Sequence, residues 1–252
     1  MNRRTLIFGG LAVVILGGFA FWYLVLRSDA PPPVSLEDAV AAVTTTGAAG
    51  DEATTTTAGV APDTSDAPTD PAASGDGFSG SWEVVPEPSF VGYRVGEELA
   101  GIGTTEAAGR TSEVFGELVV DGTTITVVDI EADLRGLQSD SSTRDGALRS
   151  RGLETDTFPS ARFSLVEPIE IGEPAVGETI TATATGDLTL HGVTNRVTIP
   201  IEGTLVDDNT IVVVASLVIA LEDYDIEPPT GMRVLSIEDT GTIEMQLAFS
   251  RG

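Results

Sequence analysis

The stretch ITATATGDLTLHGVTNRVTIPIEG, Ile180 to Gly203, decides the fold. Apolar residues alternate with Thr and Asp, the pattern breaks at Leu190-His191-Gly192-Val193-Thr194, and it resumes as Val197, Ile199 and Ile201. A period of two predicts two strands joined by a tight hairpin, one face dry and one wet. Each strand has half its side chains to bury and cannot satisfy its backbone alone, so the pattern demands a closed or stacked antiparallel sheet. Function is expected inside that sheet.

Outward from the hairpin, short alternating runs separated by turn residues recur from about Phe78 to the C-terminus, the pattern of an all-β sandwich or barrel. Nine segments are read: Ser81–Val85, Ser89–Val95, Glu113–Val120, Thr123–Leu134, Ala161–Val166, Thr179–Leu190, Val197–Leu205, Thr210–Leu221 and Thr240–Ser250. The first two are either one bent strand or a strand and an edge, which leaves about eight strands. In the fourth, apolar parity moves from Ile125 and Val127 to Ile130, Ala132 and Leu134, placing a bulge near Val128 or Asp129. Pro200 lacks a ladder donor and suits an edge or bulge. One helical insert is expected at Ser142–Arg151, with Ser142 and Asp145 as a capping box, Gly152 as its stop, and Ala147 and Leu148 buried.

The 252 residues carry a net charge of −26, and all 13 cationic residues are Arg. Electrostatic binding of nucleic acid is excluded by that balance. The absence of Cys excludes a disulfide framework, a thiolate nucleophile, a Cys-ligated metal and a lipid-modified N-terminal Cys. Leu6 to Leu26 is an uncharged run of 21 residues, long enough to cross a hydrocarbon core of about 30 Å. Arg3 and Arg4 outweigh Arg27, which Asp29 dilutes, so the N-terminus is expected in the cytoplasm and the rest of the chain outside. A cleaved signal peptide is the rival, but its apolar region would be shorter and end in a small-x-small site, which is not found before Arg27.

Residues Ser28 to Gly77 hold Pro, Thr, Ala, Gly and acids, with no aromatic residue and no Arg. Too little apolar surface is present to repay ordering, which predicts a disordered acidic linker of about 40 Å reach. One piece has helical signals: Ser35 as a cap with Asp38 three residues on, and Leu36, Val40 and Val43 on one face. Alone it is too short to be stable. The expected domains are therefore an anchor (1–27), a linker (28–77) and a β-barrel domain (78–252).

Three motifs then carry a resemblance: Arg144-Asp145-Gly146-Ala147-Leu148-Arg149, Thr157-Phe158-Pro159-Ser160-Ala161-Arg162-Phe163, and Gly186-Asp187-Leu188-Thr189-Leu190-His191-Gly192-Val193-Thr194. In order and spacing they resemble the YceI-like family. Phe115-Gly116-Glu117-Leu118 before the Asp121-Gly122 turn, and Ser236 to Ile243 before the last strand, extend the likeness over nearly all of Phe78 to Phe249. The resemblance implies an eight-stranded antiparallel, lipocalin-like barrel, secreted or periplasmic, whose apolar interior holds polyisoprenoid lipids such as polyprenyl phosphates or quinones. It implies binding, not catalysis. One departure is Ala147, where the family often has a His that would meet a head group.

His191 is the sole His, so a Ser-His-Asp relay or His-ligated metal would have to be built on it alone. Beside Gly192 it reads as a hydrogen bond fixing the turn, or as a polar contact at a pocket mouth. Arg144, Arg149 and Arg151 could fork onto a phosphate head group or pair with Asp140, Asp145, Glu154 and Asp156. Glu222, Asp223, Asp225 and Glu227 lack the regular spacing of a calcium loop and read as a solvated rim.

Ile180, Ala182, Ala184, Leu188, Ile243, Met245, Leu247 and Phe249 should face inward together, and small Ala182 and Ala184 favour some room between staves. Candidate lining residues are thus Ala182, Ala184, Leu188, Met245 and Leu247. The motifs add Phe115, Arg144, Leu148, Phe158, Phe163 and His191 at the lining or mouth. No cofactor or metal is expected; the expected partners are an isoprenoid lipid and, through the N-terminal helix, the membrane. The rivals are a filled barrel serving as an envelope scaffold and a hydrolase, for which no nucleophile and base stand at a suggestive spacing.

Overall fold

A computed structural model of the chain describes residues 30–48, 78–229, 231 and 234–251. In chain order its elements are α1 (Leu36–Ala48), β1 (Gly80–Leu99), β2 (Gly103–Thr111), β3 (Val114–Asp121), β4 (Thr124–Asp133), β5 (Gln138–Ser139) and α2 (Ser142–Ser150). There follow β6 (Ser160–Leu165), β7 (Ile169–Glu170), β8 (Thr179–Leu190), β9 (Val193–Asp207), β10 (Thr210–Ala220), β11 (Val234–Ile237) and β12 (Thr240–Arg251). Short 3-10 turns occupy Leu134–Gly136 and Leu221–Tyr224.

The deciding hairpin forms as read. β8 and β9 pair without interruption from Thr179 opposite Thr204 to Leu190 opposite Val193. Only His191 and Gly192 turn the chain, at φ of 52° and 77°, the left-handed pair that matches the strands' twist. A side chain at Gly192 would strike the Phe158 ring at 2.8 Å, so glycine is required twice over there. β9 therefore starts at Val193, four residues before the expected start. Pro200 pairs with Thr183 and lies one residue past the last β9–β10 pair, Ile201 with Ala215, so the missing N–H meets an edge.

Eight antiparallel staves close the barrel. β12, β10, β9, β8, β6, β4 and β3 are successive neighbours, and β1 seals the ring by pairing with β3 on one side and β12 on the other. Above β3, β1 continues against β2, so β2 and β3 are one stave broken at Ser112 and Glu113. The end that carries the His191-Gly192 turn, α2 and residues 221–229 is the upper end; Gly80, Thr179 and Thr210 mark the lower.

Ser81–Val85 and Ser89–Val95 are one strand, β1, the first of the two alternatives, whose register against β12 slips between Val85 and Phe90. Other expectations are corrected in detail. β2 was not expected as a strand. The bulge in β4 sits at Thr126, between the pairs Val120–Ile125 and Val119–Val127, so Val127 points outward. The cap of α2 is Ser141, whose Oγ accepts from the Arg144 N–H, while Asp145 holds the Ser139 N–H and hydroxyl instead of closing a box with Ser142.

Among the described residues there are two helices, the expected insert α2 and, ahead of the barrel, α1. Ser35 caps α1 as read, with the Asp38 N–H donating to its Oγ. Leu36, Val40 and Val43 pack with fully buried Ala39 onto Val206, Val212 and Val214 on the outside of the barrel. That dry contact supplies what so short a helix lacks alone. Residues 30–48 are thus a docked segment rather than spacer. The expected anchor, 1–27, and residues 28–29 and 49–77 of the linker lie outside the described residues. Among the described residues no helix is long and apolar enough to cross a membrane.

Candidate functional site

The lower half of the barrel is filled. Trp82, Leu118, Ile125, Leu205, Ile211 and Phe249 bury their side chains in one cluster, with Trp82 fully enclosed. The upper half is hollow. A cavity of about 140 Å³ lies there, room on the order of ten waters, the small end of ligand pockets.

Strand parity builds its walls. Val91 and Tyr93 of β1, Ile130 and Ala132 of β4, Leu188 of β8, Ile199 of β9, Leu217 and Ile219 of β10, and Ile243 and Met245 of β12 line it. Phe163 of β6 forms part of the floor. Its ring lies across Gly186 of β8, where a Cβ would meet it at 2.4 Å, so the absence of a side chain at 186 lets the ring lie flat. Leu148 and Leu153 from α2 and the chain after it, with Ile226, Pro228, Pro229 and Ile237, surround the upper opening. Arg94 and Arg162 border the cavity through backbone, because each neighbours an inward aromatic and points its guanidinium to outer carboxylates, Glu244 and Asp129 respectively.

The polar exception is Tyr93. Its hydroxyl is buried and faces Ser139 without closing a hydrogen bond. Burial pushes the phenol well above its usual pKa, with the Arg144 charge opposing the shift. Water needs two to four polar partners, so a cavity so lined is dry.

The sequence-derived candidates divide. Leu148, Phe163, Leu188 and Met245 line the cavity. Ala182, Ala184 and Leu247 pack in the core without reaching it, so the room that small residues were expected to leave is filled by neighbours. Phe115 is 54% exposed on the outer wall, because its position in β3 alternates with buried Val114. Arg144 stands above the cavity, its Nη2 donating to Glu97 at 2.6 Å and its Nη1 to Asp140. Arg149 and Arg151 are exposed and make no ion pair among the described residues.

His191 serves the turn. It donates from Nδ1 to the Tyr224 carbonyl at 3.0 Å, and its Nε2 lies 3.2 Å from a Glu154 carboxylate oxygen. The Phe158 ring packs against it at a tilt of 59°, with centroids 4.3 Å apart. Phe158 and His191 thereby tie the hairpin to the two loops that frame the opening, without facing the cavity. Among the described residues no group of three His, Cys, Asp or Glu is placed to hold a metal.

Sequence reading missed Tyr93, Leu217 and Ile219, although the parity of Ser89–Val95 and Thr210–Leu221 points them inward. It also missed Leu153, Ile226, Pro228 and Pro229, which sit in irregular chain with no period to read.

A YceI-like domain is matched over residues 82–249, well over half of the chain. Among solved structures, a polyisoprenoid binding domain from Saccharophagus degradans implicated in plant cell wall breakdown is similar, with a TM-score of 0.55 and 18% identity over 68% of this chain and 98% of that one. BcnA of Burkholderia cenocepacia is similar at a TM-score of 0.50 and 19% identity, over 66% of this chain and 98% of its own. No curated protein matches. At such identities the two structures speak for the fold, which is the barrel found here, and the domain match together with that barrel makes the chain a member of the YceI-like family.

Proposed function

We propose that the barrel binds a linear isoprenoid lipid, of polyprenyl phosphate or quinone type, with the end of the tail seated in the upper cavity. The observation that carries this reading is an apolar hollow over a packed floor in a barrel of the YceI-like family. The similarity to a polyisoprenoid binding domain supports it. Each prenyl methylene moved from water into such a hollow gains roughly 0.8 kcal/mol, so a short length of tail gives useful affinity without charged contacts. The role is binding rather than catalysis. Localisation follows from the N-terminus: Leu6–Leu26 anchors the chain, with the barrel outside the cell membrane.

Among the described residues Arg149 and Arg151, beside the rim residues Leu148 and Gly152, are cations available to an anionic head, whereas Arg144 is already neutralised. Native mass spectrometry of the full chain after gentle extraction tests the reading. A co-purifying adduct of isoprenoid mass is the expected result; a bare chain that also fails to take up added prenyl lipid overturns it. Replacing Arg149 and Arg151 with Ala should weaken a polyprenyl phosphate and leave a quinone unaffected.

A further inference from the structure

The segment 30–43 runs down the outer wall in a fixed path. At its start, Arg94 donates from Nη2 to the Pro31 carbonyl at 2.7 Å, and Arg110 to the Pro32 carbonyl at 2.8 Å. Arg94 is itself buried against Glu244, with Nε to Oε1 at 3.0 Å. Further on, Ala39 is fully buried on Val212 and Val214. Arg94 is level with Thr242 near the top of β12, and Val212 is level with Ala248 near its bottom. The chain therefore reaches the barrel near its upper end and descends.

Four residue steps separate Leu26, the end of the apolar run, from Ala30, a span of at most about 14 Å. The upper end rises beyond Arg94 by a comparable length: β1 continues five residues to Leu99, about 17 Å, and the turn into β2 follows. At that tip stands Ile102, between Gly101 and Gly103, where turn chemistry ordinarily places Asn or Asp. It is 42% exposed, and Leu235 on the adjoining β11 is 56% exposed.

We propose that the docked segment 30–43 holds the barrel upper end down on the lipid bilayer, with Ile102 and Leu235 touching its surface and the cavity opening towards it. This rests on the reading of Leu6–Leu26 as a membrane span. Such a barrel does not range over 40 Å on a free arm; the tether is short, and a weak apolar contact suffices because the anchor keeps its local concentration high. Glu98 and Glu238 near the tip keep that contact shallow and disfavour anionic lipid.

The Cys-free chain allows single labels. The full chain carrying Ile102→Cys, or Val176→Cys at the lower end where Val176 is also exposed, is labelled with an environment-sensitive fluorophore and reconstituted in phosphatidylcholine vesicles. Bromine-bearing lipid should quench the label at position 102 at least threefold more than at 176, and Ala39→Asp or Arg110→Ala should erase the difference. Equal quenching at both positions, or a difference that both wall variants leave intact, overturns the proposal alone. A full chain that does not float with vesicles overturns the membrane-span reading and this proposal with it.

Discussion

The lower and upper halves of this barrel are built from the same eight staves with the same inward-outward alternation, yet one is solid and the other hollow. Below, Trp82 is wedged among strands, its indole N–H donating to the Phe78 carbonyl at 3.3 Å and the Arg251 guanidinium 4.9 Å from its ring centre. Above, the walls carry the smaller Ala132, Leu188, Leu217 and Met245, which line a void. An eight-stranded ring is just wide enough to be filled or to hold a small ligand, so a few side-chain choices decide which half does which. The filled half carries stability and the hollow half is free for binding.

The sharpest way to break that contrast is to hollow the solid half. Trp82→Ala should cost about 3–5 kcal/mol, read from urea denaturation, because the rigid staves around it cannot collapse into the space. Leu217→Ala in the cup should cost much less, since that side chain already faces a void. Similar losses for the two variants would show that the halves do not differ in packing.

A second test moves the boundary between them. Gly186→Ala places a Cβ 2.4 Å from the Phe163 ring and 2.6 Å from the Ser164 carbonyl oxygen. Part of that clash is with backbone, so it cannot be relieved by rotating the ring. About 1–3 kcal/mol of destabilisation is expected, together with weaker uptake of a prenyl lipid as the floor tilts.

These particulars show what the sequence made legible. The alternation of β8 through β12 and the turn at His191-Gly192 are short-range signals, so the barrel could be read from them. β2 escaped because GTTEAAGRT offers only Ala107 and Ala108 as apolar side chains, and a period needs bulk to be visible. The docking of α1 did leave a trace. Val212, Val213 and Val214 are apolar on both faces of β10, and a strand with a dry outer face needs a cover. The division of the bore left none, because whether Ala184 lies under the floor or beside a cavity depends on the Phe163 ring opposite it. Parity assigns a face and says nothing of depth, so Ala182, Ala184 and Leu247 share one expected face with Leu188 and Met245.

Filling the hollow half sharpens the contrast from the other side. Leu217→Trp adds bulk where there is room, so stability should change by about 1 kcal/mol or less while prenyl-lipid uptake falls at least tenfold by native mass spectrometry. Ala184→Trp, inserted into packed core, should instead behave like Gly186→Ala and lose stability. If both Trp variants bind and fold like the parent, the ligand sits elsewhere.

The smallest expected effect concerns the buried Tyr93 hydroxyl behind the wall of the hollow. Burial raises the Tyr93 phenol above its ordinary pKa of 10. Above about pH 10 the unfolded chain releases this proton while the native chain retains it, so the native state binds more protons and its stability must fall as pH rises. Tyr93→Phe removes that contribution, and part of the alkaline loss should disappear; Tyr224, also raised by burial, acts in the same direction. Near neutral pH the same variant deletes a buried hydroxyl that has no partner, so stability should be unchanged or slightly higher. Because the hydroxyl is sealed from the hollow and the tail end is what enters there, prenyl-lipid uptake should stay within about twofold of the parent. A loss of uptake of fivefold or more, about the worth of one neutral hydrogen bond, would show instead that a polar head and not the tail enters the hollow.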